Sequence, residues 1–221
     1  MTGGIDPIRR VSILGAGRVG TALARTLVDA GYQVTLAGSG DPEAVEMIAA
    51  FTAPGARARW ARDATSDADL VVLALPLHRL PSLDPTILAD RVVVDAMNYW
   101  PPVDGIIARF EGARHGTSIE VRDVLGLDRL VKTFNHTGYH DLEPDRRERG
   151  HPDRLGMAVA GDDADDVAAV VEVVERIGYD AVALQRLEFG RLIQPGGAIF
   201  GARPTADDIR RTLRPLIQRA A

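Results

Sequence analysis

The sequence predicts an α/β fold with a doubly wound, mostly parallel sheet, and three observations support this prediction. Short apolar runs alternate with amphipathic stretches at helical spacing along the chain. The run Leu70–Leu75 is continuously apolar, as in a strand buried on both faces. A glycine-rich turn follows the first apolar run and precedes the first helical pattern. Strands that alternate with helices indicate right-handed crossovers and hence parallel pairing.

In the first half of the chain, helix-capping residues define the clearest elements. A helix over Val19–Ala30 ends at Gly31, a favourable C-cap. Asp41 as N-cap and Pro42 at the first helical position begin a second helix that ends at Phe51. Apolar runs predict the strands Val11–Leu14, Gln33–Ala37, Arg57–Trp60, Leu70–Leu75 and Arg91–Asp95, and Asp63–Asp67 fits one helical turn.

The second half continues the alternation. Asp163–Ile177 is an amphipathic helix with an acidic first turn, and Thr205 caps a final helix that ends at Arg219. The polar stretch Gly138–Asp153 is a long loop or a lid. The other elements are a helix over Ser118–Leu125 and strands over Leu130–Phe134, Met157–Ala160 and Ala181–Leu184. We expect one domain over 1–184 and a short C-terminal helical extension over 185–221, a cap or a dimer contact.

Composition excludes several classes of protein. The chain has 221 residues, a net charge of −5 with dispersed acids, and no cysteine. We therefore expect no nucleic-acid partner, no disulfide and no thiolate chemistry. An apolar run of 18 residues is absent and the first ten residues lack an apolar signal core, so we expect no membrane partner and a cytoplasmic location.

The glycine-rich turn indicates a dinucleotide ligand. Gly15, Gly17 and Gly20 form G-x-G-x-x-G around Arg18 and Val19. The first glycine permits the tight turn, the second admits a pyrophosphate, and the third allows close helix packing. The helix N-terminus then offers unpaired N–H groups to the phosphates. A Rossmann-type fold is the context in which this motif binds a dinucleotide.

The carboxyl ends of the other strands should complete the site. Near the nicotinamide we expect backbone and small side chains of seven residues: Ala74, Leu75, Pro76, Met97, Asn98, Asn135 and His136. The two asparagines either hydrogen-bond the cofactor or cap loops.

The second strand ends without the carboxylate that holds the ribose of NAD. Gly38, Ser39 and Gly40 stand there instead, and this turn favours NADP, with Arg18 or Arg57 as a source of positive charge. NAD is the alternative ligand, and a plain flexible turn is the structural alternative.

Several segments together resemble one family, the F420H2:NADP oxidoreductases, which pass hydride between NADPH and the deazaflavin coenzyme F420. The resemblance spans about Val11 to Leu184 and rests on the segments Leu14–Gly20, Ala37–Ser39, Val71–Leu77, Val94–Pro101 and Val131–Asn135. It implies NADP as cofactor, F420 as co-substrate, and a C-terminal part that helps to form a homodimer. In the family a Gly-Ser-Arg turn grips the 2′-phosphate; here Ser39 matches and Gly40 replaces the arginine, which leaves NAD possible.

Hydride transfer between two flat rings needs little from side chains. His136 is a weak candidate for carrying a proton to or from the acceptor, and His78 has the same two interpretations, proton carrier or loop residue. A metal site from His136, His140 and Asp141 is disfavoured by their spacing, and we expect no metal. The small-molecule acceptor could instead be a flavin, a ferric chelate or a carbonyl compound, for which Lys132 and Tyr139 are proton donors. A non-catalytic redox sensor is the alternative from another class.

Three further segments have two interpretations each. Tyr99 and Trp100 form a stacking wall or pack under the next loop. A cluster of Arg146, Arg147, Arg149 and Arg154 meets an anionic tail of the acceptor or lies on a solvated loop. The segment Phe189–Pro204 closes over the nicotinamide, contacts a second subunit or caps its own domain.

Overall fold

A computed structural model describes residues 7–219, and its centre is one sheet of eight strands. The strands are β1 Arg10–Leu14, β2 Gln33–Ala37, β3 Arg57–Ala58, β4 Leu70–Leu73, β5 Val92–Asp95, β6 Leu130–Lys132, β7 Gly156–Gly161 and β8 Asp180–Leu184. Their order across the sheet is β3-β2-β1-β4-β5-β6-β7-β8. The predicted α/β, doubly wound fold is confirmed.

Eight α-helices and three 3-10 helices surround the sheet in the described residues. The α-helices are α1 Arg18–Asp29, α2 Pro42–Thr52, α3 Ala61–Ser66, α4 Pro101–Asp104, α5 Ala108–Glu111, α6 Thr117–Leu125, α7 Ala164–Arg176 and α8 Ala206–Gln218. The 3-10 helices are Leu77–Ser82, Pro85–Leu88 and Leu187–Leu192. None of the helices over residues 7–219 is both long enough and apolar enough to cross a bilayer.

All neighbouring strands pair in parallel except β6 and β7. The connection over residues 133–155 contains turns but no helix. It lacks the helical crossover that a parallel neighbour needs, and β7 returns antiparallel beside β6. The sheet is thus mostly parallel, as predicted.

The predicted helix caps are present. The Asp41 carboxylate accepts a hydrogen bond of 2.9 Å from the Glu43 N–H, and Gly31 follows α1 with a φ of +85°. Thr205 and Asp208 form a reciprocal capping box at the start of α8. These capping residues determine where the helices begin and end. They therefore also determine the bounds of the neighbouring loops.

Three apolar cores cover the two faces of the sheet. One joins β1, β2 and β4 to α1, α2 and α7, and a second joins β4 and β5 to α3 and α6. The third packs the C-terminal segment against β7 and β8 through Ala158, Leu184, Phe189, Ile209 and Leu213. The described part of the C-terminal extension therefore caps its own sheet, while the division of the chain at residue 184 stays a prediction.

Four predicted strands are shorter in the structure, and one stretch gains helices. The strand expected over Leu70–Leu75 ends at Leu73, and the one expected over Arg91–Asp95 begins at Val92. The strand expected to reach Phe134 ends at Lys132, because Phe134 has a φ of +64° and its buried ring turns into the core. The strand expected to reach Trp60 ends at Ala58, since Trp60 is the N-cap of α3. The short helices α4 and α5 were not expected, as each is a single turn and too short to show a period.

Candidate nucleotide-binding site

The predicted site residues lie along one edge of the sheet. The strands β2, β1, β4, β5 and β6 are neighbours and parallel, so the loops after them meet at their common carboxyl edge. The chain reverses direction of winding at β1, which has β2 on one side and β4 on the other. Ligands of open α/β sheets bind in the crevice at such a switch point.

The glycine loop has the shape that the motif predicts. Gly15 has a φ of +128°, and a Cβ there would overlap the carbonyl of Ala74 in the loop after β4. A Cβ on Gly20 would overlap the carbonyl of Gly15. Around Gly17, by contrast, no atom of the described residues lies within 4 Å of an added Cβ. The first and third glycines are needed for packing, whereas the second faces open space.

The first turn of α1 is left without a side-chain cap by the described residues. Gly17 is its N-cap and the first turn contains no acid. In α2, α7 and α8, by contrast, the N-cap side chains of Asp41, Asp163 and Thr205 accept hydrogen bonds from the first turn. Because the first N–H groups of a helix need acceptors, the turn that contains Arg18 and Val19 is suited to an anion.

The turn after β2 is open to solvent. Ser39 and Gly40 are exposed, and Asp41 is engaged as the cap of α2. A Cβ on Gly40 would meet no described atom within 4 Å. The sequence analysis missed Arg59, which follows β3 immediately. Its N–H donates to the Leu36 carbonyl at 3.0 Å, which places it beside the end of β2.

The loops after β1 and β6 contact each other through Arg18 and Tyr139. The Arg18 guanidinium donates to the Tyr139 hydroxyl at 3.3 Å and lies 5.9 Å from the centre of its ring. The Tyr139 ring in turn packs on His140, with 3.9 Å between the ring centres. Arg18 is exposed and borders the glycine loop.

The loop after β4 approaches the glycine loop directly. The Ala74 N–H donates to the Leu14 carbonyl at 2.9 Å. Leu75 is partly buried and Pro76 is exposed. The structure thus brings Ala74 and Leu75 of this loop beside Gly15.

The loops after β5 and β6 are joined by Asn98 and Asn135. Asn98 Nδ2 donates to the Asn135 carbonyl at 2.8 Å, and Asn135 Nδ2 donates to Asn98 Oδ1 at 3.0 Å and to the Ile193 carbonyl at 2.7 Å. These bonds are the loop-capping alternative, and contact of either residue with a nucleotide stays a prediction. The Met97 side chain is buried in the second core, and its contact with a nucleotide stays a prediction.

Lys132 and Asp95 form a buried ion pair beneath these loops. The sequence analysis did not predict that these two residues pair. Lys132 Nζ is 3.1 Å from Asp95 Oδ2 and also donates to the Met97 carbonyl. Asp95 further accepts from the Ser118 hydroxyl at 2.7 Å and from the Met97 N–H at 2.9 Å. Lys132 is fully buried, and burial lowers its pKa against the attraction of Asp95. It is held inside the fold and does not line an open pocket.

His136 is also buried within the fold. Its Nε2 accepts a hydrogen bond of 3.0 Å from the Ala158 N–H, and its Nδ1 has no partner among the described residues. Burial, with a contribution from the charge of Lys132, lowers the pKa of His136 to about 4. The imidazole is therefore neutral at pH 7 and only 3% exposed, which argues against the predicted role as a proton donor to an acceptor.

The segment over residues 138–153 packs along α1 as a loop, which is one of its two predicted forms. Arg25 pairs with Glu143, and Arg146 pairs with Asp29 at 3.1 Å. Arg154 is buried and donates to the Tyr179 carbonyl at 2.6 Å. Asp29 ends α1, so the arginine cluster lies at the end of α1 opposite the glycine loop. The structure does not bring this cluster to the candidate site.

Tyr99 and Trp100, the two aromatic residues after β5, have different surroundings. Tyr99 packs on Phe110 with 5.7 Å between ring centres, and its hydroxyl binds Glu111 at 2.8 Å, which is the structural alternative. Trp100 is 50% exposed. In residues 7–219 no three His, Cys, Asp or Glu side chains are grouped to hold a metal ion.

Comparison with known proteins agrees with this geometry. Residues 10–99 match the family described as NADP oxidoreductase, coenzyme F420-dependent. No curated protein matches the chain.

Two similar solved structures cover most of the chain. A hypothetical protein, SMa0349, from Sinorhizobium meliloti is 25% identical, with a TM-score of 0.73 over 88% of this chain and 94% of that one. A suggested F420-dependent NADP reductase from Arthrobacter sp. FB24 is 23% identical, with a TM-score of 0.68 over 82% of this chain and 87% of that one.

A more distant similarity extends over the C-terminal part. A pyrroline-5-carboxylate reductase from Coxiella burnetii is 15% identical, with a TM-score of 0.60 over 96% of this chain and 70% of that one. Such a likeness concerns the fold. The resemblance is confirmed in the matched part: residues 10–99 match the model of the F420-dependent NADP oxidoreductase family that the sequence resembles.

Proposed function

We propose that the protein is an NAD(P)-dependent oxidoreductase that transfers hydride between NADP(H) and coenzyme F420. The observation that carries the proposal is the first turn of α1. No side chain caps this turn, and the space next to Gly17, its N-cap residue, contains no described atom. The turn lies at the switch point between β1 and β4. The family match of residues 10–99 supports the same ligand class.

The residues present fit a nicotinamide dinucleotide. The pyrophosphate would be held by the backbone of Gly15, Gly17 and Gly20 and by the N–H groups of Arg18 and Val19. The nicotinamide, when bound, supplies a hydride donor or acceptor. The chain's own contribution is to orient the cofactor at the ends of β4 and β5 and to exclude water.

NADP(H) is the proposed form of the nucleotide. The turn Gly38-Ser39-Gly40 offers a hydroxyl and backbone N–H groups without a carboxylate that would repel a 2′-phosphate. Arg59 stands beside the end of β2, is 46% exposed, and lies 3.8 Å from its nearest carboxylate, Asp67. This loose pair leaves its guanidinium able to turn toward a phosphate bound at Ser39.

F420 is proposed as the co-substrate because residues 10–99 match that family. Among the alternatives, a carbonyl reductase would need a proton donor from Lys132 or Tyr139. Lys132 is occupied by Asp95 and the Met97 carbonyl, so this observation disfavours Lys132 in that role. A homodimer stays a prediction, and light scattering of the purified chain measures it.

A spectrophotometric assay tests the function. The purified protein is mixed with NADPH or NADH, with and without F420, and followed at 340 nm and in the deazaflavin absorbance band. We expect oxidation of NADPH only with F420, and faster with NADPH than with NADH. Turnover with a flavin, ferric chelate or carbonyl compound but not with F420 would replace the proposed acceptor. Tight nucleotide binding without turnover would indicate a sensor.

A further inference from the structure

A histidine–carboxylate pair lies at the rim of the crevice, between the loops after β4 and β5. His78 stands in the 3-10 helix that follows β4, and Asp104 is the last residue of α4. His78 Nδ1 lies 3.3 Å from Asp104 Oδ1. The Asp104 side chain is only 2% exposed, whereas that of His78 is 39% exposed. A buried carboxylate thus backs an accessible imidazole.

The Asp104 carboxylate is held by both loops. Its Oδ1 also accepts from the His78 backbone N–H at 3.3 Å, and its Oδ2 accepts from the Trp100 N–H at 2.9 Å. A carboxylate that faces Nδ1 favours the tautomer with a proton on Nδ1. Nε2 then remains as the ring nitrogen that can exchange a proton with a ligand.

The position of this pair matches the place where an acceptor would lie. β4 and β5 are adjacent and parallel, and Ala74 at the end of β4 approaches Gly15 of the nucleotide loop. Trp100, bound through its backbone to Asp104, presents a half-exposed ring at the same rim. A titratable group and a flat apolar surface therefore occur together beside the proposed nicotinamide site.

We propose that His78 is the proton-transfer residue for a flat heteroaromatic hydride acceptor and that Asp104 is its positioning residue. This inference rests on the proposed function and extends it. His136, the candidate from sequence, is buried and accepts the Ala158 N–H through Nε2. His78 is the accessible alternative, and its ring has a fixed orientation.

A bound dihydronicotinamide would supply a hydride, which is one proton with two electrons, to a ring carbon of the acceptor and would itself be oxidised. The His78 imidazolium gives its Nε2 proton to a ring nitrogen of the acceptor, so one N–H bond breaks and another forms. Neutral His78 then regains its proton from a hydronium ion or a buffer acid in the solvent. In the reverse direction, neutral Nε2 accepts the proton from the reduced acceptor.

Four proteins test the proposal: the wild type, His78→Gln, Asp104→Asn and the control His151→Gln. His151 stands in the segment that packs along α1. Single-turnover oxidation of NADPH is followed by stopped flow with F420 and, separately, with FMN, in H2O and in D2O. NADPH affinity is measured by titration, and 15N NMR of the histidine side chains reports the tautomer of His78. Melting temperatures confirm that the variants fold.

We expect His78→Gln to slow single turnover about 100-fold or more, which is the usual contribution of a general acid. NADPH affinity should change less than two-fold, and the solvent isotope effect should change relative to the wild type. Asp104→Asn should slow turnover about ten-fold and reduce the population of the Nδ1–H tautomer in the NMR spectrum. His151→Gln should match the wild type in every measurement.

The outcomes separate the two proposals. If the wild type reduces F420 and His78→Gln does so within two-fold of its rate, the proton-transfer role is wrong while the proposed function stands. If the wild type reduces FMN but not F420, the proposed acceptor is replaced, and an equal rate in His78→Gln again excludes the proton-transfer role. If Asp104→Asn leaves the His78 tautomer unchanged, the positioning role is wrong. If the wild type binds NADPH but reduces neither acceptor, both the proposed function and this inference are overturned.

Discussion

Asn98 and Asn135 bind each other across the ends of β5 and β6. Asn135 Nδ2 donates to Asn98 Oδ1 at 3.0 Å, and Asn98 Nδ2 returns a bond of 2.8 Å to the Asn135 carbonyl. Asn135 Nδ2 also donates to the Ile193 carbonyl at 2.7 Å, so three loops meet at one amide. This amide links the crevice to the C-terminal segment.

Replacement of Asn135 by alanine should destabilise the fold by about 1–3 kcal/mol, because buried groups lose their partners. Urea denaturation of the wild type, Asn98→Ala, Asn135→Ala and the double variant measures this cost. Since the two residues share a bond, the double variant should lose less than the sum of the single losses. Strictly additive losses would show that the bond contributes nothing.

Replacement of Gly17 by valine should abolish nucleotide binding while the fold is retained. The space around a Cβ at this position contains no described atom within 4 Å, and Gly17 has a negative φ of −81°, which valine tolerates. The side chain would occupy the volume expected for the pyrophosphate. Calorimetric titration with NADPH measures affinity, and the melting temperature reports folding.

Gly112→Ala is a suitable control for the loss of a glycine, because its Cβ would meet the Ala108 carbonyl at an ordinary 3.6 Å. This variant should bind NADPH like the wild type. Undiminished affinity in Gly17→Val would show that the glycine loop does not cradle the phosphates.

Replacement of Gly40 by arginine should increase the preference for NADPH over NADH about ten-fold or more. A guanidinium beside Ser39 would form a charge-assisted bond to a 2′-phosphate, worth about 1.5–3 kcal/mol. The ratio of kcat/KM for the two nucleotides measures the preference. Gly40→Gln has a long side chain without the charge and should leave that ratio near the wild-type value; an equal change in both variants would exclude an electrostatic cause.

The positions of the backbone elements were largely predictable, because they depend on local signals. Asp41, Thr205 and the glycine turn determine where three of the helices begin, and apolar runs mark the strands. Phe134 is a position where local signals gave the wrong prediction. An aromatic residue at the end of an apolar run is typical of a strand, yet Phe134 has a φ of +64°. Only the packing of its ring in the core decides that conformation.

Contacts between distant residues were not predictable in the same way. His78 and Asp104 are 26 residues apart, and Asp104 belongs to a four-residue helix with no periodic pattern. The partner of His136 lies on β7, the strand that pairs antiparallel to β6. Such partners follow from the order of strands in the sheet, so a histidine in a loop cannot be assigned as exposed or buried from its own segment.

The burial of His136 predicts a pH dependence of stability. Its pKa is about 4 in the folded protein and about 6.5 when unfolded, so the unfolded chain binds more protons between these values. Stability from this residue is therefore complete above pH 6.5 and is lost as the pH falls toward 4, by about 3 kcal/mol over the window. Guanidinium denaturation between pH 4 and 7 measures the slope.

His136→Gln retains an acceptor for the Ala158 N–H but does not titrate, so its free energy of unfolding should fall less over the same range. The difference between the two proteins isolates the histidine from carboxylates that titrate nearby. Parallel curves for the wild type and this variant would contradict the low pKa.

The Lys132–Asp95 pair predicts an asymmetric response to mutation. Lys132→Met should cost about 3–5 kcal/mol, because it leaves the buried Asp95 carboxylate without its cation. The double variant Lys132→Met/Asp95→Asn should recover part of this loss, since an asparagine amide carries no charge and its oxygen still accepts the Met97 N–H. Guanidinium denaturation at pH 7 compares the three proteins. A double variant less stable than Lys132→Met alone would show that Asp95 is held by Ser118 and Met97 and that lysine is not its main partner.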